Sequence, residues 1–387
     1  MSFGIAYGCV LIISFLVGLL VKKQFIKIYF FISNFLIALP TLFFYIPSNI
    51  YWDSIRFENL LNIMRQYNAS GIFQGLKWGL NYSVYASQPL DVYYIWFFSL
   101  FKSNHFFFYS TIVFFLTFMS LLILQSLKNK GTTKNAAVIT QLVVLMIFNI
   151  VFEIAGIRNF LAFMSFAAVS YIEINTKSRK NKIICWIIYL LAYFFHPSVL
   201  IFIIFRIIIL FKKKVLNYLV EVISLTYTLF LSIIISIIAS IPFFNNISSR
   251  IEIYLYGQSG YSTHAGINEI IFTSIILIYL IFELFVVYKL KLKKLFNQSY
   301  LTLYNMSLLF TVGSFLNTQI YLRSIMLLLF MSIPIKINLF SSFITNDHIS
   351  SSADSISLIF YKMATIGTSV ILFMYWYYVY YSTAFVF

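Results

Sequence analysis

The chain has 387 residues, of which 61% are hydrophobic, 20% aromatic and 10% charged. That leaves far too little polar surface to coat a water-soluble globule, so the chain belongs in lipid. Its formal charge of +16 does not mark a nucleic-acid partner, because the lysines and arginines gather where apolar runs stop and no soluble basic domain exists to hold a duplex.

A helix needs about 20 apolar residues to cross a hydrocarbon core of about 30 Å. In chain order, runs near that length cover 4–21, 28–46, 105–127, 136–154, 157–175, 216–241, 268–289, 300–318, 320–338 and 357–381. The first is followed by Lys22 and Lys23 rather than by a small-residue cleavage site, and reads as a first span, not a signal peptide. Residues 47–90 are polar enough for amphipathic helices lying over the membrane. The run 90–101, rich in Tyr93, Tyr94 and Trp96, reads as a short interfacial or re-entrant helix, which makes 47–104 one external loop. A shorter pair, 183–195 and 197–211, meets at His196-Pro197 and reads as a short hairpin. The Ser-rich stretch 341–357 reads as a loop. The expectation is an all-α, polytopic integral membrane protein, one transmembrane domain over 1–387 with about twelve helices.

Five basic clusters punctuate these runs: Lys22, Lys23 and Lys27; Lys128, Lys130 and Lys134; Lys177, Arg179, Lys180 and Lys182; Lys212, Lys213 and Lys214; and Lys289, Lys291, Lys293 and Lys294. Putting all five in the cytoplasm obeys the positive-inside rule, and an even number of spans then leaves both termini outside.

With those clusters set aside, the informative ionisable residues are Glu153, Arg158, His196 and Arg323. Each abuts or interrupts an apolar span, where an unpaired charge costs several kcal/mol. Glu153 to Arg158 is a break between two spans, with Gly156 expected to allow a tight turn. Arg158 opens a helix, where the dipole and backbone N–H groups favour an anion and a planar guanidinium suits phosphate oxygens. His196 precedes Pro197 and stands at a helix entrance, with a side chain able to take a proton from a hydroxyl. Arg323, near the start of the run 320–338, is either an interfacial anchor or a second cation for a diphosphate. Asp53 and Arg56, in Tyr51-Trp52-Asp53-Ser54-Ile55-Arg56-Phe57, suit either sugar binding or an interfacial helix. There is no GxxxxGK[ST], HExxH, GxSxG or DxD sequence, so nucleotide hydrolysis and a nucleotide-sugar metal site have no support, and neither a cofactor nor a metal is expected. Cys9 and Cys185 lie inside apolar stretches and offer no disulfide framework or CxxC site.

The run Gly156-Ile157-Arg158-Asn159-Phe160-Leu161-Ala162-Phe163, followed some forty residues on by Phe195-His196-Pro197-Ser198-Val199-Leu200, resembles the pattern of the EpsG family, relatives of the Wzy-type O-antigen and capsule polymerases. Tyr51-Trp52-Asp53, Gln88-Pro89-Leu90 and Tyr321-Leu322-Arg323 stand in the expected order. Gln88 replaces an acid usual in that family, which puts a catalytic carboxylate at the junction in doubt. The resemblance implies a GT-C-like membrane glycosyltransferase core. It also implies polymerisation of undecaprenyl-diphosphate-linked repeat units on the outer face of the bacterial cytoplasmic membrane, with a flippase and a chain-length regulator as protein partners. Arg158, His196 and Glu153 would then be catalytic, and Arg323, Asp53, Arg56 and Asn159 would bind substrate. A glycan ligase and a lipid-linked glycan transporter remain open as alternatives.

Overall fold

The computed structural model describes residues 3–43, 53–86, 88–129, 131–148, 150–227, 267–290, 292–315, 317–345 and 352–381, and among them all regular structure is helical. Among the described residues, six helices are long and apolar enough to cross a membrane: Phe3–Leu20, Lys23–Phe43, Asn104–Ser126, Ile157–Asn175, Ile270–Lys289 and Ile356–Val379. They present apolar side chains outward, with Ile13 59% exposed on the first and Phe360 62% on the last. Such surface is stable only when covered, and lipid covers it. The chain divides into two compact units, Met1–Leu200 with Ile333–Phe387, and Ile201–Ser332.

The first unit opens with α1 (Phe3–Leu20) and α2 (Ile26–Ala38), the latter extended by a 3-10 turn at Leu39–Phe43. Three short helices follow where an external loop is expected: α3 (Asp53–Asn68), α4 (Gln74–Tyr82) and α5 (Pro89–Ser99). They pack tightly on one another. A Cβ on Gly79 of α4 would crowd the Met64 and Val92 side chains, so the glycine suits the close approach of α4 to both neighbours. Trp96 donates to the Ile72 carbonyl at 2.9 Å, and Asn68 donates to Ser99 Oγ at 2.9 Å. Arg65 then ties this layer to the next helix, α6 (Asn104–Ser126), by bonding the Phe101 carbonyl at 3.0 Å and Asn104 Oδ1 at 2.9 Å.

Next come α7 (Lys134–Ile147), α8 (Ile150–Ala155), α9 (Ile157–Asn175) and α10 (Arg179–Phe195). The apolar run 136–154 is therefore not one span. The helix stops at Phe148, whose backbone is extended at φ −81°, ψ 126°. The Phe148 ring lies between Phe115 and Phe160, with centroids 5.1 and 5.5 Å away. A carbonyl left open by such a break needs a donor when no water is near. The buried indole of Trp376, on the helix Ser352–Trp376, donates to the Ile147 carbonyl at 2.9 Å. The Ser-rich stretch also differs from its expected loop. Helices run to Thr345 and resume at Ser352, and the buried Ser341 accepts the Thr133 N–H at 2.9 Å, so this serine faces the core rather than solvent. The chain between 345 and 352 lies outside the described residues.

One end of the first unit gathers three of the basic clusters. Lys134 Nζ donates to the Leu19 and Val21 carbonyls, at 2.7 and 2.6 Å, and so caps α1 with a cation. Beside it, Asn129 at the end of α6 donates to Tyr171 near the end of α9 at 2.9 Å. The short turn 176–178 leads into α10, which packs back along α9. The start of α9, the end of α10 and the α3–α5 layer thus occupy the opposite end from Lys22, Lys134 and Arg179.

In the second unit, α11 (Leu200–Leu210, its first residue in the first unit) and α12 (Lys214–Thr226) precede α13 (Ile267–Lys289), α14 (Gln298–Gly313) and α15 (Thr318–Met331). Most of the expected span 216–241 lies outside the described residues. α12 meets α14 at Gly313, where a Cβ would fall 2.4 Å from the Ser224 carbonyl oxygen. Tyr227 stacks on Phe310 at 4.8 Å and shares a hydrogen bond with Ser314 at 2.7 Å. The run 320–338 is interrupted at Ser332, since Pro334 has no N–H and its ring crowds the carbonyl four residues back. Tyr300 donates to the Met331 carbonyl beside that break at 2.6 Å.

Hydrogen bonds to charged groups contribute about 1.5–3 kcal/mol. Lys134→Met is expected to lower thermal stability in detergent by an amount in that range, whereas Lys128→Met, whose ammonium bonds the nearby Gln125 side chain on the surface, leaves it nearly unchanged. Equal unfolding temperatures for the two variants would refute the capping role of Lys134.

Candidate functional site

The site forms where α9 begins. Gly156 is its N-cap, with no side chain to occupy the first N–H groups. Its φ of −123° and ψ of 38° lie outside the left-handed region, so the expected need for glycine's conformational freedom is not met here. Arg158 follows in the first turn, and a cation is unfavourable at a helix N-terminus. It is therefore compensated from outside its own helix. Nη1 donates to Asp91 Oδ2 at 3.1 Å and to Gln88 Oε1, and the guanidinium carbon lies 4.2 Å from the centroid of the Tyr85 ring. Arg158 is 14% exposed and Asp91 1%. The pair is thus nearly dry, and its loss would strand a buried charge.

The turn between α4 and α5 supplies these partners. Ser83 Oγ donates to the Gly79 carbonyl at 2.6 Å and accepts the Tyr85 N–H at 3.2 Å, which sets the ring under the guanidinium. Gln88 is the N-cap of α5, but its side chain reaches Arg158 instead of capping, and Pro89 starts the helix. Asp91 stands one turn on from Gln88, in the first turn of α5 where a carboxylate is favoured. Burial pushes its carboxyl up to about 7, while the charge and hydrogen bond of Arg158 pull the other way.

Two buried acceptors stand out on α5 and α9. Asp91 Oδ1 and Asn159 Oδ1 are both buried and have no partner among the described residues, and Asn159 is 8% exposed. Leaving such atoms unpaired costs about 1–3 kcal/mol each, so they suit a ligand that brings donors.

His196 lies at the same end of the unit. α10 packs on α9 and α5, and Phe195 meets the Tyr94 ring edge-on at 5.6 Å. The histidine caps the 3-10 turn Pro197–Val199: Nδ1 accepts the Ser198 N–H at 3.2 Å and is 2.6 Å from Ser198 Oγ. Assigned from that bond, the neutral ring carries its proton on Nε2 and acts there as a donor. That geometry fits donation better than the proton abstraction expected of it.

The remaining candidates are spread out. Glu153 is on α8 and Asp53 begins α3, and both side chains lie outside the description. Arg56 is half-buried on α3, which packs on α5 and α8. Arg323 is half-buried on α15, in the second unit. Sequence reading missed Asp91 and Tyr85 as site residues. The signal for Asp91 was available, since Pro89 marks a helix start and residues 88 and 91 then share one face.

Fold and charge pattern define an all-helical polytopic membrane protein. Compared with family models, curated proteins and solved structures, the chain matches none.

Because the folded Asp91 carboxyl titrates above its unfolded counterpart, it contributes stability that is full below the unfolded range and lost as pH rises through about 7. An infrared pH titration of the protonated-carboxyl band is expected to show a component with a midpoint near neutrality, shifted upward in Arg158→Gln and missing in Asp91→Asn. An identical band in Asp91→Asn would assign that titration elsewhere.

Proposed function

We propose that this protein is a membrane glycosyltransferase that polymerises undecaprenyl-diphosphate-linked oligosaccharide repeat units on the outer face of the bacterial cytoplasmic membrane. The observation that carries the reading is Arg158: an almost buried guanidinium at a helix start without a side-chain cap, at the end of its unit opposite three basic clusters. A lipid diphosphate is its own activated leaving group. Its transfer needs no nucleotide, only fixed positive charge where the leaving oxygen gains electrons. Arg158 supplies that charge, and Asp91 and Gln88 fix its orientation through Nη1. The resemblance of Gly156-Ile157-Arg158-Asn159 and Phe195-His196-Pro197-Ser198 to the EpsG pattern supports the same conclusion.

In this reading the acceptor hydroxyl attacks the anomeric carbon of the donor sugar, the bond from that carbon to phosphate breaks, and undecaprenyl diphosphate leaves with the electron pair. His196, donating from Nε2, steadies sugar or phosphate oxygens. Asn159 and Arg56 on α3 contact the sugars. The fold is a GT-C-like core with about twelve crossings, some of them interrupted helices. A flippase and a chain-length regulator act with it.

Purified protein in lipid vesicles, given only undecaprenyl-diphosphate repeat units, is expected to build a ladder of polymers. Arg158→Lys keeps the charge but loses the planar fork, and should cut polymer formation by about 10- to 100-fold. Arg158→Ala should abolish high-molecular-weight product at unchanged protein abundance. Normal chain lengths from Arg158→Ala would remove the diphosphate site, and transfer of repeats across the bilayer without bond formation would identify a transporter.

A further inference from the structure

We infer that Asp91 is the general base of this transfer, accepting the proton of the acceptor sugar's hydroxyl on Oδ1 while Arg158 holds Oδ2. The inference rests on the transferase reading above and assigns a step that neither Arg158 nor the resemblance accounts for.

A base must offer an oxygen or nitrogen that no protein donor already fills. The Nδ1 atom of His196 accepts the Ser198 N–H, and its other ring nitrogen carries the proton in that tautomer. Asp91 differs: Oδ2 is anchored on Arg158 at 3.1 Å, and Oδ1 is buried without a hydrogen-bond partner among the described residues. Pro89 and the helix start fix the carboxyl on the first turn of α5, so it is oriented before substrate binds. An unfilled buried acceptor calls for a ligand that brings a donor, as a sugar hydroxyl does and a hydrocarbon chain does not.

The step balances without a further reactant. The hydroxyl oxygen forms the bond to the donor's anomeric carbon, its proton passes to Asp91 Oδ1, and the lipid diphosphate departs with the electrons of the broken bond. Arg158 thus links base and leaving group in one charge arrangement. The burial that raises the carboxyl toward neutrality also strengthens it as a base at ordinary pH. Elements packed against α5 carry further ionisable groups, among them Arg56, Glu58 and Arg65 on α3, Lys77 on α4, His105 on α6, and Tyr189 and Tyr193 on α10. Of the charged groups around it, Arg158 is the one that shifts the Asp91 carboxyl.

The test is steady-state polymerisation by the full chain in vesicles, with kcat and KM measured across neutral pH. The wild type is expected to lose kcat below about pH 7 along a single-proton limb. Asp91→Asn should lower kcat by about 10²- to 10⁴-fold with KM little changed, and Asp91→Glu should retain part of the rate with the limb displaced. An Asp91→Asn protein of normal abundance that turns over at the wild-type rate overturns the inference while leaving the transferase reading intact. If Asp91→Asn fails to accumulate, an unmoved pH limb in Asp91→Glu overturns it equally. No polymer from the wild type under any of these conditions brings down the transferase reading and this inference with it.

Discussion

In hydrocarbon there is no water to rescue a backbone carbonyl, and every interruption of a helix must therefore be met by a donor from elsewhere in the chain. That constraint runs through the structure. Trp376 reaches the Ile147 carbonyl where α7 stops, Tyr300 reaches Met331 beside the Ser332 break, and Lys134 closes the end of α1 with two bonds. Each donor lies far along the sequence from the carbonyl it satisfies. Breaks are then affordable, and the first unit interrupts its helices again at Gly156, where α9 begins at one end of the unit.

In the proposed reading, that helix start carries the chemistry. An arginine in the first turn opposes the helix dipole, so its charge must be balanced by a group from another element. The α3–α5 layer provides the balance. Its close packing at Gly79 and the Ser83 turn bring Tyr85, Gln88 and Asp91 to one face of Arg158. The same packing takes the pair almost out of solvent, which raises both the cost of disrupting it and the electrostatic leverage it exerts on a bound anion. Lys134, at the other end of the unit, has a different use: it terminates a helix and marks the basic side.

The functional reading and the ion pair bear on each other. A guanidinium alone would suit any anion. With a carboxylate anchored by one oxygen and its other oxygen unfilled among the described residues, the pair also offers an acceptor to a hydroxyl donor. In the proposed reading, a sugar joined to a diphosphate supplies both the donor and the negative charge.

Composition and spacing alone determined that the chain is helical and lives in a membrane, where most spans begin and end, and that Arg158 and His196 stand at helix starts. Those properties follow from local hydropathy and from the restrictions proline imposes on its neighbours. Spans 136–154 and 320–338 read as continuous because hydropathy is blind to Phe148 lodging between two rings and to a donor waiting in Trp376. Asp91 is not singled out by hydropathy for the same reason: it meets Arg158, 67 residues away, and no local pattern encodes that encounter. Tertiary structure alone decided which acid meets which base, which ring nitrogen of His196 is committed, and which carbonyls are capped. Each depends on burial and on contacts between distant segments, and a protonation state or an unpaired atom has meaning only once those contacts exist.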